Sequence, residues 1–205
     1  MKLATLINGH LKKKKQRKPK PRSYFYITEA GKTPYQIYKG LLLKQTYHPR
    51  IKRLMEIGRK THRRVCKCLE EMGLLKAREV KVGDDLFHGF VDAITHLPYE
   101  NPEPLEIKTV GKKDFEKILR RGMPTWRSYI QLQLYMNYLR KANKGKILFI
   151  ESNALEDYVM PLEEYRQDQR MKEFIVRKNP KIIRQTIQKF RRLKDVFVKD
   201  GVMLR

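Results

Sequence analysis

Asp92, Glu106 and Lys108 are residues whose types and spacing could do chemistry. They fall in the stretch Phe87 to Val110, FHGFVDAITHLPYENPEPLEIKTV. Its two short apolar runs, Phe87 to Ile94 and Leu105 to Val110, flank a turn-rich segment with Pro98, Pro102 and Pro104. That pattern predicts two strands joined by a loop. Strand side chains alternate, so Glu106 and Lys108 share one face while Leu105 and Ile107 take the other, and pairing with the first strand can bring Asp92 beside them. Charges at the centre of apolar strands are costly to bury unless they are paired or hold a metal. Two carboxylates and a lysine meet what a divalent-cation site for phosphodiester hydrolysis requires, hard oxygen ligands with a cation beside them. The same alternation fits the solvated face of an antiparallel sheet, and the pattern alone leaves both readings open.

The elements that must position these side chains lie on either side. Upstream, apolar positions at helical period run from Ile51 through Leu54, Met55, Val65 and Leu69 to about Leu75, with His62 inside the helix; a lone helical histidine is ordinarily a surface or packing residue. Ala77 to Val82 reads as a strand containing Glu79, and Gly83-Asp84-Asp85 turns it into the Asp92 strand. Downstream, a basic helix from Lys112 to Arg121 stops at Gly122-Met123-Pro124. A second helix, Trp126 to Leu139, brings Gln131 and Tyr135 onto one face beside the mostly apolar stripe of Ile130, Leu134 and Tyr138. Lys146 to Glu151 and Leu155 to Met160 are expected as a strand pair. Leu162 to Val176 and Pro180 to Val198 are expected as two helices, the second basic, capped by Asn179 and with Pro180 at its first position. Near the start, Thr33-Pro34 opens a short helix. Tyr24, Phe25, Tyr26, Tyr35 and Tyr38 are expected chiefly in core and entrance packing, with base stacking as the other use.

The 205 residues suffice for one substantial core, so a single domain is expected over 23–205, with its core at about 50–160 and a helical elaboration over 161–205. Residues 1–22 hold nine Lys or Arg and no acid, and read as a basic flexible arm suited to lying on phosphates, or as a solubilising tail. A formal charge of +25 calls for a polyanionic partner, and nucleic acid is the expected one. A membrane is not expected as partner, because no run of about 18 apolar residues could span a bilayer. The first residues put an apolar stretch before the charge, the reverse of a secretory signal, so a cytoplasmic location is expected. Cys66 and Cys68 stand two apart on a helix, pointing to different sides, which argues against a mutual disulfide or a shared metal.

Taken in order, Gly58-x3-His62, Gly89-Phe90-Val91-Asp92, Glu106-Ile107-Lys108-Thr109 and Gln131-x3-Tyr135 resemble the PD-(D/E)XK nuclease superfamily. The similarity is greatest to its RecB-like branch, which includes the nuclease of CRISPR adaptation and related phage and archaeal-virus proteins, and it covers roughly residues 24–160. The resemblance implies an α/β (α+β) fold, a restriction-endonuclease-like αβββαβ core with a central mixed sheet flanked by helices. It implies a DNA nuclease acting through metal-activated water on single-stranded DNA or DNA with free ends. His62, Asp92, Glu106 and the Ile107 carbonyl would hold Mg²⁺ or Mn²⁺, one ion or two. Lys108 would orient or activate the water, Gln131 and Tyr135 would contact DNA or brace the site, and Glu79 would be an auxiliary carboxylate. Many members of this branch carry four cysteines for an iron-sulfur cluster; with only Cys66 and Cys68 here, no iron-sulfur cluster is expected. A stand-alone nuclease, as in a virus acting in host cytoplasm, fits that departure better than CRISPR adaptation. A homo-oligomer, an RNA- or structure-specific endonuclease on the same fold, and a non-catalytic basic nucleic-acid-binding protein are the further expectations to be weighed.

Overall fold

A computed structural model describes residues 22–43, 47–96, 101–152 and 170–204. The apolar runs around Asp92 and Glu106 become central strands of one mixed sheet. Its strands are β1 (Phe25–Tyr26), β2 (Leu75–Gly83), β3 (Phe87–Thr95), β4 (Glu103–Val110), β5 (Lys144–Glu151) and β6 (Met171–Arg177). The helices are α1 (Pro34–Leu42), α2 (Pro49–Glu71), α3 (Lys112–Arg121), α4 (Trp126–Tyr138) and α5 (Pro180–Lys199). The sheet runs β1-β3-β4-β5-β6, and β2 lies antiparallel to β3. Because β4 and β5 are parallel, the chain must cross between them, and α3 and α4 make that crossover. The fold class is therefore the expected one, a mixed α+β domain whose central mixed sheet is flanked by helices.

Both faces of β4 are covered, which is why Leu105, Glu106 and Ile107 are all buried. On one face Leu105, Ile107, Ala93 and Ile150 pack with Cys66 of α2. On the other, Ile147 and Phe149 of β5 meet Leu132 and Met136 of α4 and Phe115 of α3. The largest cluster joins Phe25, Phe87 and Val91 to Ile130 and Leu134 of α4 and Phe190 of α5. Phe87 and Phe190 have no exposed surface, so truncating either to alanine removes about 3–5 kcal/mol. Gly89 has a steric reason to be glycine: a Cβ there would meet the Ile27 side chain at 3.0 Å.

Helix ends follow their sequence signals. Thr33 accepts from Gln36 N ahead of Pro34, and Asn179 accepts from Lys181 N and Ile182 N ahead of Pro180. Some expectations need correction or limitation. The segment 171–176, read from sequence as the end of a helix, is instead β6, pairing antiparallel with β5. Its residues MKEFIV alternate well enough for a sheet edge, and the open edge of β5 supplies partners that no local pattern announces. Leu75, placed at the end of the His62 helix, begins β2, because Gly73 at φ 69° ends the helix two residues earlier. The strand expected over Leu155 to Met160 lies outside the described residues, as do residues 1–21 of the basic arm. Arg22, grouped by sequence with that arm, is held in the domain: its guanidinium donates to both Glu29 oxygens, and its carbonyl accepts from Leu204 N.

Candidate active site

The site forms where the sheet forks. β4 pairs with β3 only from Glu103 to Leu105, opposite Thr95 to Ala93, and then leaves it to run beside β5. The other end of β3 is flanked on that side by β1, at Phe87 and His88. Asp92 stands where the β3–β4 ladder stops, and its Oδ2 accepts from Ile107 N at 2.8 Å in place of a main-chain partner. His62 reaches the same point from α2. Its Nε2 lies 2.7 Å from the Ile107 carbonyl, which can only accept, so Nε2 carries the proton. Nδ1 then turns a lone pair toward Asp92 Oδ1, 3.5 Å away.

Glu106 is 1% exposed, which rules out the solvated-face reading of β4. Its partner is the Lys108 ammonium, in close contact with Oε1 and also donating to Gln131 Oε1 at 3.2 Å. Gln131 Nε2 donates in turn to the Tyr135 hydroxyl at 2.9 Å. The Gln131-x3-Tyr135 pair is thus a buried brace on Lys108; it sets the direction in which the ammonium points.

Burial dominates the electrostatics. It raises Asp92 to about 6 against the opposing Ile107 N–H bond and Lys108 charge, and raises Glu106 to about 7 although Lys108 pulls it down. Burial alone would lower Lys108, but the Glu106 carboxylate more than offsets this, so Lys108 sits above its ordinary value and stays an ammonium. Burial lowers His62, leaving it neutral at physiological pH. Burial likewise pushes the Tyr135 hydroxyl up, so it remains a neutral hydrogen-bonding group.

A cleft of about 610 Å³ opens beside Asp92 and His62, lined also by Arg59, Arg63, Cys66, Arg78 and Glu79. Glu79 stands across from Asp92 in the β2–β3 register with φ 50°, the left-handed region that a non-glycine residue adopts at a cost of about 1–2 kcal/mol. The burial alternation of β2 slips by one residue there, with Arg78 and Glu79 both exposed. Glu79 is therefore brought to the cleft, although it makes no direct contact with Glu106 or Lys108 that the geometry records. The sequence reading missed Arg59, Arg63 and Arg78. The first two were legible, since positions 59, 62 and 63 share one face of a helix.

Among the described residues, no three of His, Cys, Asp and Glu gather into a ready-made metal cluster. The fork nevertheless fits a hard divalent cation. His62 Nδ1 and Asp92 Oδ1 face each other as acceptors, and neither buried Glu106 oxygen has a well-directed hydrogen bond among the described residues. One lone pair of the Ile107 carbonyl is taken by His62, and a carbonyl oxygen has a second with which a ligand could be met. Cys66 is buried and Cys68 exposed, both as free thiols.

No protein-family model matches the sequence, and no curated protein matches it. Solved structures do share the fold. The protein SSO0001 superposes with a TM-score of 0.56 at 18% identity, over 96% of this chain and 86% of that one. An alkaline exonuclease from Laribacter hongkongensis gives a TM-score of 0.56 at 11% identity, over 86% of this chain and 90% of the other. The same exonuclease in complex with dAMP gives 0.55 at 13% identity, over 86% and 93%. A phage-related exonuclease from Haemophilus somnus 129PT gives 0.52 at 16% identity, over 84% and 87%.

Proposed function

From the fork and the fold shared with exonucleases, we propose that this chain is a metal-dependent DNA nuclease of the PD-(D/E)XK type, acting on single-stranded DNA or DNA ends. The observation that carries the reading is the convergence of His62, Asp92 and the Ile107 main chain at the point where β4 leaves β3, with the buried Glu106 paired to Lys108 on either side of Ile107 in the same strand. His62, Asp92, Glu106 and the Ile107 carbonyl would hold Mg²⁺ or Mn²⁺, which when bound supplies an acidified water and a counter-charge to the scissile phosphate. Lys108, fixed by Glu106 and Gln131 and held as an ammonium, stabilises negative charge on the phosphate and orients the nucleophile; it is not the base. Arg59, Arg63 and Arg78 draw the phosphate into the cleft, and Glu79 offers a further carboxylate.

The test is cleavage of labelled single-stranded and duplex DNA in Mg²⁺, Mn²⁺ or EDTA, by wild type and Lys108→Ala. Cutting is expected only with metal, and the variant should lose it by 100-fold or more on the order of a removed charge stabiliser, while still binding DNA. Robust cutting by Asp92→Ala, or cutting in EDTA, would falsify the proposal. A second reading, a basic nucleic-acid binder without catalysis, is favoured by the lack of a preassembled ligand cluster among the described residues. It predicts binding with no cutting under any of these conditions. RNA in place of DNA tests the RNA-directed alternative.

A further inference from the structure

The outer face of the sheet beside the fork carries a row of aromatic side chains that the catalytic reading does not use. β1 pairs in parallel with β3 so that Tyr26 lies beside His88, and β2 pairs so that Lys81 lies beside Phe90. Paired residues share a face, and the core-facing Phe87, Gly89 and Val91 leave His88 and Phe90 pointing away from the core. Tyr26 is 46% exposed and Phe90 58% exposed, two large rings set on one open face beside the Asp92 strand end. Tyr24 stacks on His88 at 3.8 Å between centroids, and the Arg22 guanidinium, fixed by Glu29, lies 4.4 Å over the Tyr26 ring. The row is therefore rigid, and Lys81 supplies exposed positive charge at its edge.

The geometry points to a stacking platform for the bases of single-stranded DNA, formed by Tyr26, the Tyr24–His88 stack and Phe90, that leads along β3 to Asp92. It rests on the nuclease reading for its direction, because Asp92 is two residues beyond Phe90. His88 and Phe90, successive same-face residues of β3, lie about 7 Å apart, and Tyr26 stands beside His88 on the neighbouring strand at about 5 Å, whereas nucleotides of a duplex strand rise about 3.4 Å each. Bases seated on successive rings must therefore be unstacked from one another, which a single strand permits and a duplex does not. Aromatic rings accept any base face, and the adjoining Lys81 and cleft arginines follow the phosphates, so the platform is selective for strandedness and indifferent to sequence.

The test uses the full-length chain in EDTA, so that cleavage does not intervene, with fluorescence anisotropy on oligo(dT), a blunt DNA hairpin and oligo(U). Phe90→Ala and Tyr26→Ala should each weaken oligo(dT) binding about 5- to 100-fold, with the slope against log salt unchanged, since no ion is released by stacking. Hairpin affinity should stay within about twofold of wild type, which also verifies that the variants fold. Phe90→Trp should restore binding and Phe90→Leu should not. In wild type, 5-iodouracil placed in oligo(dT) should crosslink within 24–26 or 88–90. Unchanged oligo(dT) binding in both variants, an equal loss on the hairpin, a loss confined to oligo(U), full binding by Phe90→Leu, or crosslinks only elsewhere would each overturn the platform. If wild type cuts with metal but these variants bind normally, the platform alone fails. If wild type never cuts and the variants still lose oligo(dT), the platform stands and the nuclease reading fails.

Discussion

Asp92 and Glu106 are carboxylic acids whose surroundings favour the protonated form, and this has a definite sign in stability. Asp92 is raised from 3.8 to about 6 and Glu106 from 4.5 to about 7, in both cases by burial first. A group whose folded value is raised stabilises the fold fully below its unfolded value, and that contribution is lost as pH climbs through the folded value. The metal-free wild type should therefore lose melting temperature between about pH 5 and pH 8 relative to Glu106→Gln, which cannot ionise. Differential scanning calorimetry in EDTA reads the difference, and parallel curves for the two proteins would contradict the assignment. If the fork holds a divalent metal as proposed, binding needs both groups ionised, so Mg²⁺ or Mn²⁺ should raise the wild-type Tm more at about pH 8 than at about pH 6. Glu79 makes a second residue-scale case. Its φ of 50° is strained for any residue with a Cβ, and relief of that strain is measurable. Glu79→Gly should hold or raise the Tm while lowering metal-dependent cleavage, whereas Glu79→Ala should lower cleavage with no gain in stability. A Tm drop in the glycine variant would show that the side chain, not the backbone, is what the fold needs there.

At the scale of elements, what could be read from the sequence depended on whether the signal was local. The two strands bearing Asp92 and Glu106 announced themselves by apolar runs and prolines, and the caps at Thr33 and Asn179 act as their residue types dictate. The fork between β3 and β4 was not legible, because nothing in either strand says where pairing stops; the stop is set by β5 capturing β4 over six residue pairs, Leu105 to Val110. β6 was misread for the same reason, its strand state being decided by the edge of β5. In α4 the sequence drew attention to Gln131 and Tyr135 and passed over Gln133, which turns out to be 1% exposed. Gln133 Nε2 donates to the Arg177 carbonyl at 2.8 Å, and its Oε1 accepts from Asn179 N at 2.7 Å, tying the end of β6 to the start of α5. Gln133→Ala leaves that donor and that acceptor unpaired in a buried joint. It should cost about 2–3 kcal/mol, or roughly 5–10 °C of Tm for a domain of this size. DNA-binding affinity at low temperature should be unchanged, since the joint lies on the sheet edge away from the cleft. A Gln131→Ala variant should show the opposite balance, with cleavage lost through a misdirected Lys108 ahead of stability.

Across the whole molecule the charge of +25 and the buried acidic centre set two requirements that the fold reconciles by placing arginines between them. On the proposed function a nucleic acid must be attracted over a long range yet meet carboxylates at the reacting point, and Arg59, Arg63 and Arg78 around Asp92 compensate the local negative charge. The remaining positive charge is distributed widely, with Lys12, Lys13, Lys14 and Lys15 forming its densest run in sequence. If those four lysines lie on phosphates, each releases counterions on binding, and for single strands each contributes about 0.7 to the slope of log affinity against log salt. Replacing all four with glutamine in the full chain should make that slope shallower by up to about 3, and weaken binding most at low salt. Metal-dependent turnover of bound substrate should be preserved if the arm supplies attraction and not chemistry. Anisotropy at several salt concentrations measures the slope, and single-turnover cleavage at saturating protein measures the chemistry. An unchanged slope would assign the run to solubility, and a fall in single-turnover rate with an unchanged slope would mean that these lysines act at the site itself, against a division of labour in which the arm recruits and the fork cuts.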